Sequence, residues 1–410
     1  MTRILLTGAD LVLADRVAAN HTLVIEDGRI VDITTGLRTV ADGERRIDLT
    51  GHLIVPGFID VHVHGVLGRD VQDGAGAIAA IAADLPRFGV TAFCPTTVAC
   101  SPADLAIVLG QVRALREAPS PGSARVLPAH LESNFISPEY CGAQPVTCLR
   151  TPPHQHTQTR HDGRDAHIKD DWTGDDILAL IYGSAPDVSI VTMAPELANG
   201  LDLVRALSRA GIIVSIGHSG ATYEQSLAAI DAGARHATHL FNRMTPMTHR
   251  DPGMVGAVLA SHDVAAELIC DGRHVHPAVM RVAMAAKTSE RVMAITDGTA
   301  GSGLPRGAKA QLGGRTITVE DVARLDDRTM AGSVLTMERA FACLAGEAGA
   351  GLVDAARMCA TTPARELGLQ GHGVLAVGGV ADLVVLDANF SVKQTWIAGA
   401  PAYDTLGIFR

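Results

Sequence analysis

The chain has 410 residues, 47% hydrophobic and 19% charged, with a formal net charge of −10. That composition fits an ordinary globular protein with a large core, and an acidic balance without a basic stripe excludes nucleic acid as the main partner. The seven cysteines stand singly with no C-x-x-C pair, a pattern that reads as free thiols in a reducing cytosol.

The opening "MTRILLTGADLVLADRV" is interrupted by Asp10 and Asp15. It reads as neither a signal peptide nor a membrane span, and no other run reaches ~18 apolar residues. A cytoplasmic protein without membrane contact is expected. The next segments, "HTLVIEDGRIVDI" and "RRIDLTGHLIVPG", are strand-like and split by turn signals such as Asp27-Gly28. The far end, "GVLAVGGVADLVVLDANFSVKQTWIAG", returns to the same texture. Both ends together predict one small β-sandwich domain, residues 1–56 and 370–410.

Residues 57–369 differ. Short apolar runs alternate with Ala/Leu-rich helical segments such as "NGLDLVRALSRAG" and "TYEQSLAAIDAG", each ending at glycine. The runs fall at 57–65, 90–98, 124–133, 188–196, 212–220, 236–242, 266–274 and 292–298. Eight strand–helix units predict an α/β chain built on a (β/α)8 TIM barrel. An open doubly wound sheet is the alternative, weakened by the lack of a Gly-x-Gly-x-x-Gly loop after the first strand.

Polar residues close these runs: His62 and His64, Thr96, Glu132, Glu196, His218, His239, Asp271 with His274, and Asp297. In a barrel the C-terminal strand ends converge on one face, where active sites form. In "GFIDVHVHG" the two histidines are two apart, so on a strand they share a face. A lone histidine at a strand end is ordinarily a hydrogen-bonded structural residue, and His130 is read that way. Four histidines and two acids converging on one face instead call for a metal. Such N and O donors without thiolates suit zinc, with iron, manganese or cobalt as alternatives, in one or two sites per subunit. His62 and His64 serve one ion and His218 and His239 the other. Glu132 bridges or serves one of them, and Asp297 ligates or holds the attacking water. An ion lowers the pKa of its water toward ~7, so hydrolysis of an amide, ester or cyclic amide follows. No Gly-x-Ser-x-Gly elbow suggests a serine nucleophile.

"VPGFIDVHVHG" and "GVLAVGGVADLVVLD" resemble the amidohydrolase superfamily. "HLES" followed by "FISPEYCGAQ", then "VTMAPE", "SIGHSGATYEQ", "ATHLFNRM", "HRDPGMVGAVL", "ICDGRHVHP", "AITDGTAGSG" and "MAGSVLTM" resemble the N-acetylglucosamine-6-phosphate deacetylase family, in its order. The resemblance implies removal of acetate from N-acetylglucosamine 6-phosphate. It implies Glu132, His218 and His239 as principal metal ligands, with His62 and His64 for a second ion. Asp297 is implied as the catalytic acid/base. Asn242, the Arg243 amide and Arg250 are implied to hold the phosphate, Arg250 across a homodimer interface. His274 and Gln144 are implied to contact the sugar. The rivals are another N-acyl amino sugar, such as N-acetylgalactosamine 6-phosphate or an unphosphorylated sugar, then a cyclic-amide hydrolase or a non-catalytic sugar-phosphate sensor.

The chain departs from the family pattern at Ser133-Asn134 (usually Gly-Pro), Gln144 (usually His), Arg243 (usually small) and Gly298 (usually Ala). "RTPPHQHTQTRHDGRDAHIKDDW", near 150–172, reads as an insertion. Its histidines, with Arg160 and Arg164, suggest a solvated loop, or alternatively a lid.

Overall fold

The computed structural model describes residues 3–154 and 172–408. His156, His161, His167, Arg160 and Arg164 lie outside the described residues. So the solvated-loop and lid readings rest on sequence alone.

The barrel strands are β1 Phe58–Val63, β2 Val90–Thr97, β3 Ala129–Glu132, β4 Val188–Met193, β5 Ile213–Ile216, β6 His236–Ala237, β7 Ala265–Ile269 and β8 Val292–Ile295. They pair in parallel and in chain order. The ring closes where Val63 bridges Gly298, reinforced by His64 N–H to Gly298 O at 2.8 Å and Asp297 N–H to His62 O at 3.0 Å. All eight residues of β2 are buried, as expected when helices cover one face and the barrel interior the other. The helix over 200–209 shows the cause: Leu203, Val204 and Leu207 recur at helical spacing and form its buried stripe. The helix over 223–232 starts in a Thr222/Gln225 capping box and stops at Gly233, whose φ of 122° suits glycine.

Both ends of the chain meet in one eight-stranded sheet. Leu53–Pro56 pairs antiparallel with Leu383–Leu386. Asp27 and Gly28 both have positive φ, 50° and 76°, and make the tight hairpin turn between the second and third strands. Leu6, Leu23, Ile54, Leu383 and Trp396 form a core separate from that of the barrel. Asp382 joins sheet to barrel. It accepts hydrogen bonds from both guanidinium arms of Arg125, lies 2.9 Å from His372 Nδ1, and accepts the Ala398 N–H.

A three-stranded antiparallel sheet over 309–324 follows β8; the sequence reading had not found it. It leans on the barrel mouth, with Arg315 donating to Ala143 O at 2.7 Å and Gly313 N–H to Asp70 at 3.1 Å. No helix among the described residues is long and apolar enough to cross a membrane.

Below the mouth, Glu366 supports β6. Burial alone would raise its pKa, but His236, 3.6 Å away, and Arg365 hold it down to about 2. A carboxyl depressed from its ordinary value stabilises the fold above about pH 4.5, and that contribution is lost as pH falls through about 2. Glu366→Gln should therefore melt a few degrees below the parent at pH 7. The gap should close in melts run toward pH 2; a constant gap would show that the charge is irrelevant.

Candidate metal centre and active site

Six side chains converge at the C-terminal strand ends: His62 and His64 from β1, Glu132 from β3, and His218, His239 and Asp297 from the turns after β5, β6 and β8. All six are buried. His218, His239 and Asp297 have left-handed backbones, with φ of 47°, 31° and 47°. For residues with a side chain this costs roughly 1–3 kcal/mol each. The turns are held by hydrogen bonds from Ser137 N–H to His218 O, Asn242 N–H to His239 O and Ser333 N–H to Asp297 O, at 2.8–3.0 Å. Glu196 adds a further anchor, accepting from Ser219 Oγ and Gly220 N–H at 2.6 Å each.

The ring nitrogens have assigned roles. His64 Nδ1 faces Thr96 O at 3.1 Å and His218 Nδ1 faces Tyr140 O at 2.8 Å. A carbonyl can only accept, so both Nδ1 atoms carry a proton and Nε2 is the atom of each ring turned toward the centre. Glu267 does the same for His62 Nδ1 at 2.9 Å.

These Nε2 atoms face one another. His218 and His239 Nε2 are 3.0 Å apart, and Glu132 Oε1 lies 2.8 and 2.9 Å from them. On the other side, His62 and His64 Nε2 are 3.3 Å apart, with Asp297 Oδ1 at 3.4 and 3.2 Å. Glu132 reaches this second group too, Oε2 lying 3.5 Å from His64 Nε2. Lone pairs and carboxylates so arranged repel unless cations sit among them. Bonds of about 2.0–2.1 Å to a tetrahedral ion imply ligand–ligand separations of roughly 3.3 Å, near those found here. The donors therefore fit one divalent ion on Glu132, His218 and His239 and a second on His62, His64 and Glu132, so that Glu132 is common to both, with Asp297 Oδ1 beside the second pair.

Electrostatics agree. Burial would raise Glu132, but His218 and His239 hold it well below the usual carboxylate range. Burial opposes charge on His64 and His239 as well, yet without an ion the carboxylates lift each to about 9, so a proton holds the place among these groups that a cation would take. His130 behaves differently. Burial pushes it down to about 4, and its nitrogens bond Val61 O and Thr192 Oγ1 at 2.9 and 2.8 Å. It is a structural group beneath the site, as read from sequence.

A cavity of about 380 Å³ opens above the six. His64, Glu132, His218, His239 and Asp297 form its floor, while Asn242, Arg243, His274 and Gln144 line its walls. His274 Nδ1 is held by Asp271 at 2.6 Å. Arg243 has room because position 142 is glycine; a Cβ there would lie 2.9 Å from Arg243 Nε. Gln144 has both ends of its amide engaged inside the protein, with Ala99 and Glu132. Arg250 is exposed and does not line the cavity.

The departures from the family pattern have local causes. Asn134 Nδ2 donates to Cys100 O and Cys148 O at 2.8 and 2.7 Å, and Ser133 Oγ donates to Thr192 O at 2.6 Å. This pair ties the connection after β3 to the loop after β2 and to β4. At Gly298 a Cβ would lie 2.8 Å from Ser302 Oγ and 2.9 Å from Thr296 Oγ1, so even alanine would require these side chains to shift. Glu267 and Asp60 were missed in the sequence. Glu267 orients His62, and Asp60, pushed up to about 6 by burial, accepts a bond from Thr296 at 2.5 Å. Each is an acid inside an apolar strand, which is the signal that marks them.

Residues 53–401 match the model of the Amidohydrolase family. The chain belongs to that family. Its relatives include the N-acetylglucosamine-6-phosphate deacetylases of Lysinibacillus sphaericus, 34% identical over 92% of this chain and 91% of the relative, and of Homo sapiens, 35% identical over 92% and 90%. The N-acetylgalactosamine-6-phosphate deacetylase of Escherichia coli is 33% identical over 93% and 94%. Among solved structures, a mutant N-acetyl-D-glucosamine-6-phosphate deacetylase from Mycobacterium smegmatis, in complex with N-acetyl-D-glucosamine-6-phosphate, superposes with a TM-score of 0.85 at 31% identity, covering 98% of this chain and all of that one. The barrel and the terminal β-domain expected from sequence are those of this family.

Proposed function

We propose that the protein is a metal-dependent deacetylase that converts N-acetylglucosamine 6-phosphate to glucosamine 6-phosphate and acetate. The observation that carries this reading is Asp297, on the floor of the cavity with Oδ1 3.2 and 3.4 Å from the Nε2 atoms of His64 and His62. A carboxylate so placed can reach both an attacking water and the amide of a substrate above it. The relatives at 34–35% identity support the substrate.

The ion is zinc, in one or two sites on His62, His64, Glu132, His218, His239 and Asp297. When bound, it lowers the pKa of water toward ~7 and polarises the amide carbonyl. Asp297 takes the proton from the attacking water and delivers it to the amine as the C–N bond breaks. Nearby partners keep it ionised: burial would raise its pKa, but His64 and His62 hold it below the usual range. Asn242 and the Arg243 amide hold the phosphate, and His274 holds the sugar. Arg250 completes the phosphate site from a second subunit of a homodimer, consistent with its exposure. A cytoplasmic location suits seven cysteines that form no disulfide.

Acetate release from a panel of sugars tests the reading. N-acetylglucosamine 6-phosphate should lead by kcat/KM. Preference for the galactosamine compound, the second reading suggested by the Escherichia coli relative, would replace it. A charge-assisted bond contributes roughly 1.5–3 kcal/mol, so Arg250→Ala should lose about 10- to 100-fold in kcat/KM on phosphorylated sugars. Unphosphorylated sugars should be spared; equal losses on both would make Arg250 structural.

A further inference from the structure

The Gln144 carboxamide is buried beside the ion ligands. Ala99 N–H donates to its Oε1 at 2.8 Å. A backbone N–H can only donate, so the atom facing it must be the oxygen. This fixes the NH₂ end toward Glu132, where Nε2 donates to Oε2. The clamp is built into the fold. The Gln144 N–H bonds Cys141 O at 3.0 Å, and Arg315 holds the neighbouring Ala143 O at 2.7 Å.

The two Glu132 oxygens thus differ. Oε1 faces His218 and His239 at 2.8 and 2.9 Å and lies farther, at 3.8 Å, from His62 Nε2. Oε2 faces His64 at 3.5 Å and already accepts from Gln144. An oxygen that accepts an N–H has one lone pair fewer, and less electron density, to give an ion.

We propose that Gln144 is a positioning residue that clamps Glu132, reserving Oε1 for an ion on His218 and His239 and making the His62–His64 pocket the weaker of two ion sites. The inference rests on the ion ligation proposed above. Gln144 binds no ion itself; it decides how one shared carboxylate is divided.

The test measures zinc stoichiometry, not turnover. Full-length parent and Gln144→Met, each stripped with a chelator, are dialysed against stepped free Zn²⁺ and their bound zinc is measured. Methionine fills similar volume but cannot donate. Hydrogen-bond partners of metal ligands are worth about 10- to 100-fold in affinity. The parent should load in two separated steps. In the variant the first step should weaken by about 10-fold or more while the second tightens, so the gap narrows. One zinc in the parent and two in the variant would support the proposal equally. Steps that weaken together, stay unchanged or move apart overturn it, as does a single step in both proteins, because general loosening cannot favour one site. If Gln144→Met does not fold, Gln144→Asn carries the same expectation, being one methylene too short to span Ala99 and Glu132. A parent with no saturable zinc binding would overturn the ligation and this inference together, while unaltered double loading would overturn only the role of Gln144.

Discussion

Asp297→Asn should fold, keep at least one ion and bind substrate, yet lose about 10²–10⁴ in kcat, the range for removing general acid–base help. The amide has nearly the shape of the carboxylate and keeps an oxygen for His62 and His64 Nε2, which lie 3.4 and 3.2 Å from Oδ1. The backbone around it should also survive. Its left-handed φ of 47° is held by main-chain bonds with Ser333 and His62 that do not involve the side chain. What the variant cannot do is accept a proton from water. An amine leaves poorly without that proton, so the loss should fall on kcat rather than KM. Steady-state kinetics on zinc-replete protein checks this. Near-normal kcat would move the acid/base role to His274, on the same cavity wall.

His218→Ala should lose the tighter ion and, with it, activity to the limit of detection. Its Nε2 lies 2.8 Å from Glu132 Oε1 and 3.0 Å from His239 Nε2. Without it that ion keeps only two protein ligands, below the usual three of a catalytic site. The fold should hold, because the strained turn is anchored from outside by Glu196 on Ser219 and Gly220. Metal analysis by mass spectrometry, alongside acetate release, gives the answer. Full ion content with normal turnover would remove His218 from the site.

The barrel was legible because parallel strands covered on both faces must be continuous apolar runs, and all eight runs are strands. The convergence of the candidate ligands was legible because a histidine or acid closing such a run calls for something to pair with it. What the sequence concealed were partnerships across long separations. Glu267 lies 205 positions from His62, its hydrogen-bond partner, and "AELIC" says only that an acid is buried. Gln144 could be placed near the site, but the direction of its amide depends on Ala99 N–H, which only the folded loop supplies. The small sheet over 309–324 has strands of two to five residues, too short for a periodicity to show. Arg250 has its proposed partner on another molecule, beyond the reach of one chain's pattern.

The terminal sheet has a consequence for how the chain is made. One edge of Leu53–Pro56 pairs with Asp10 and Leu11, made before it, but the other edge pairs with Leu383–Leu386, so that edge emerges long before its complement. At about 5–20 residues per second, the roughly 330 residues between them take on the order of 15–65 s to synthesise. Throughout that time one backbone edge of Leu53–Pro56 has donors and acceptors with nothing native to meet, and such an edge invites foreign strands. Every ribosome on the message carries that open edge until the last tenth of the chain appears, so aggregation should be governed by elongation speed rather than by the stability of the finished protein.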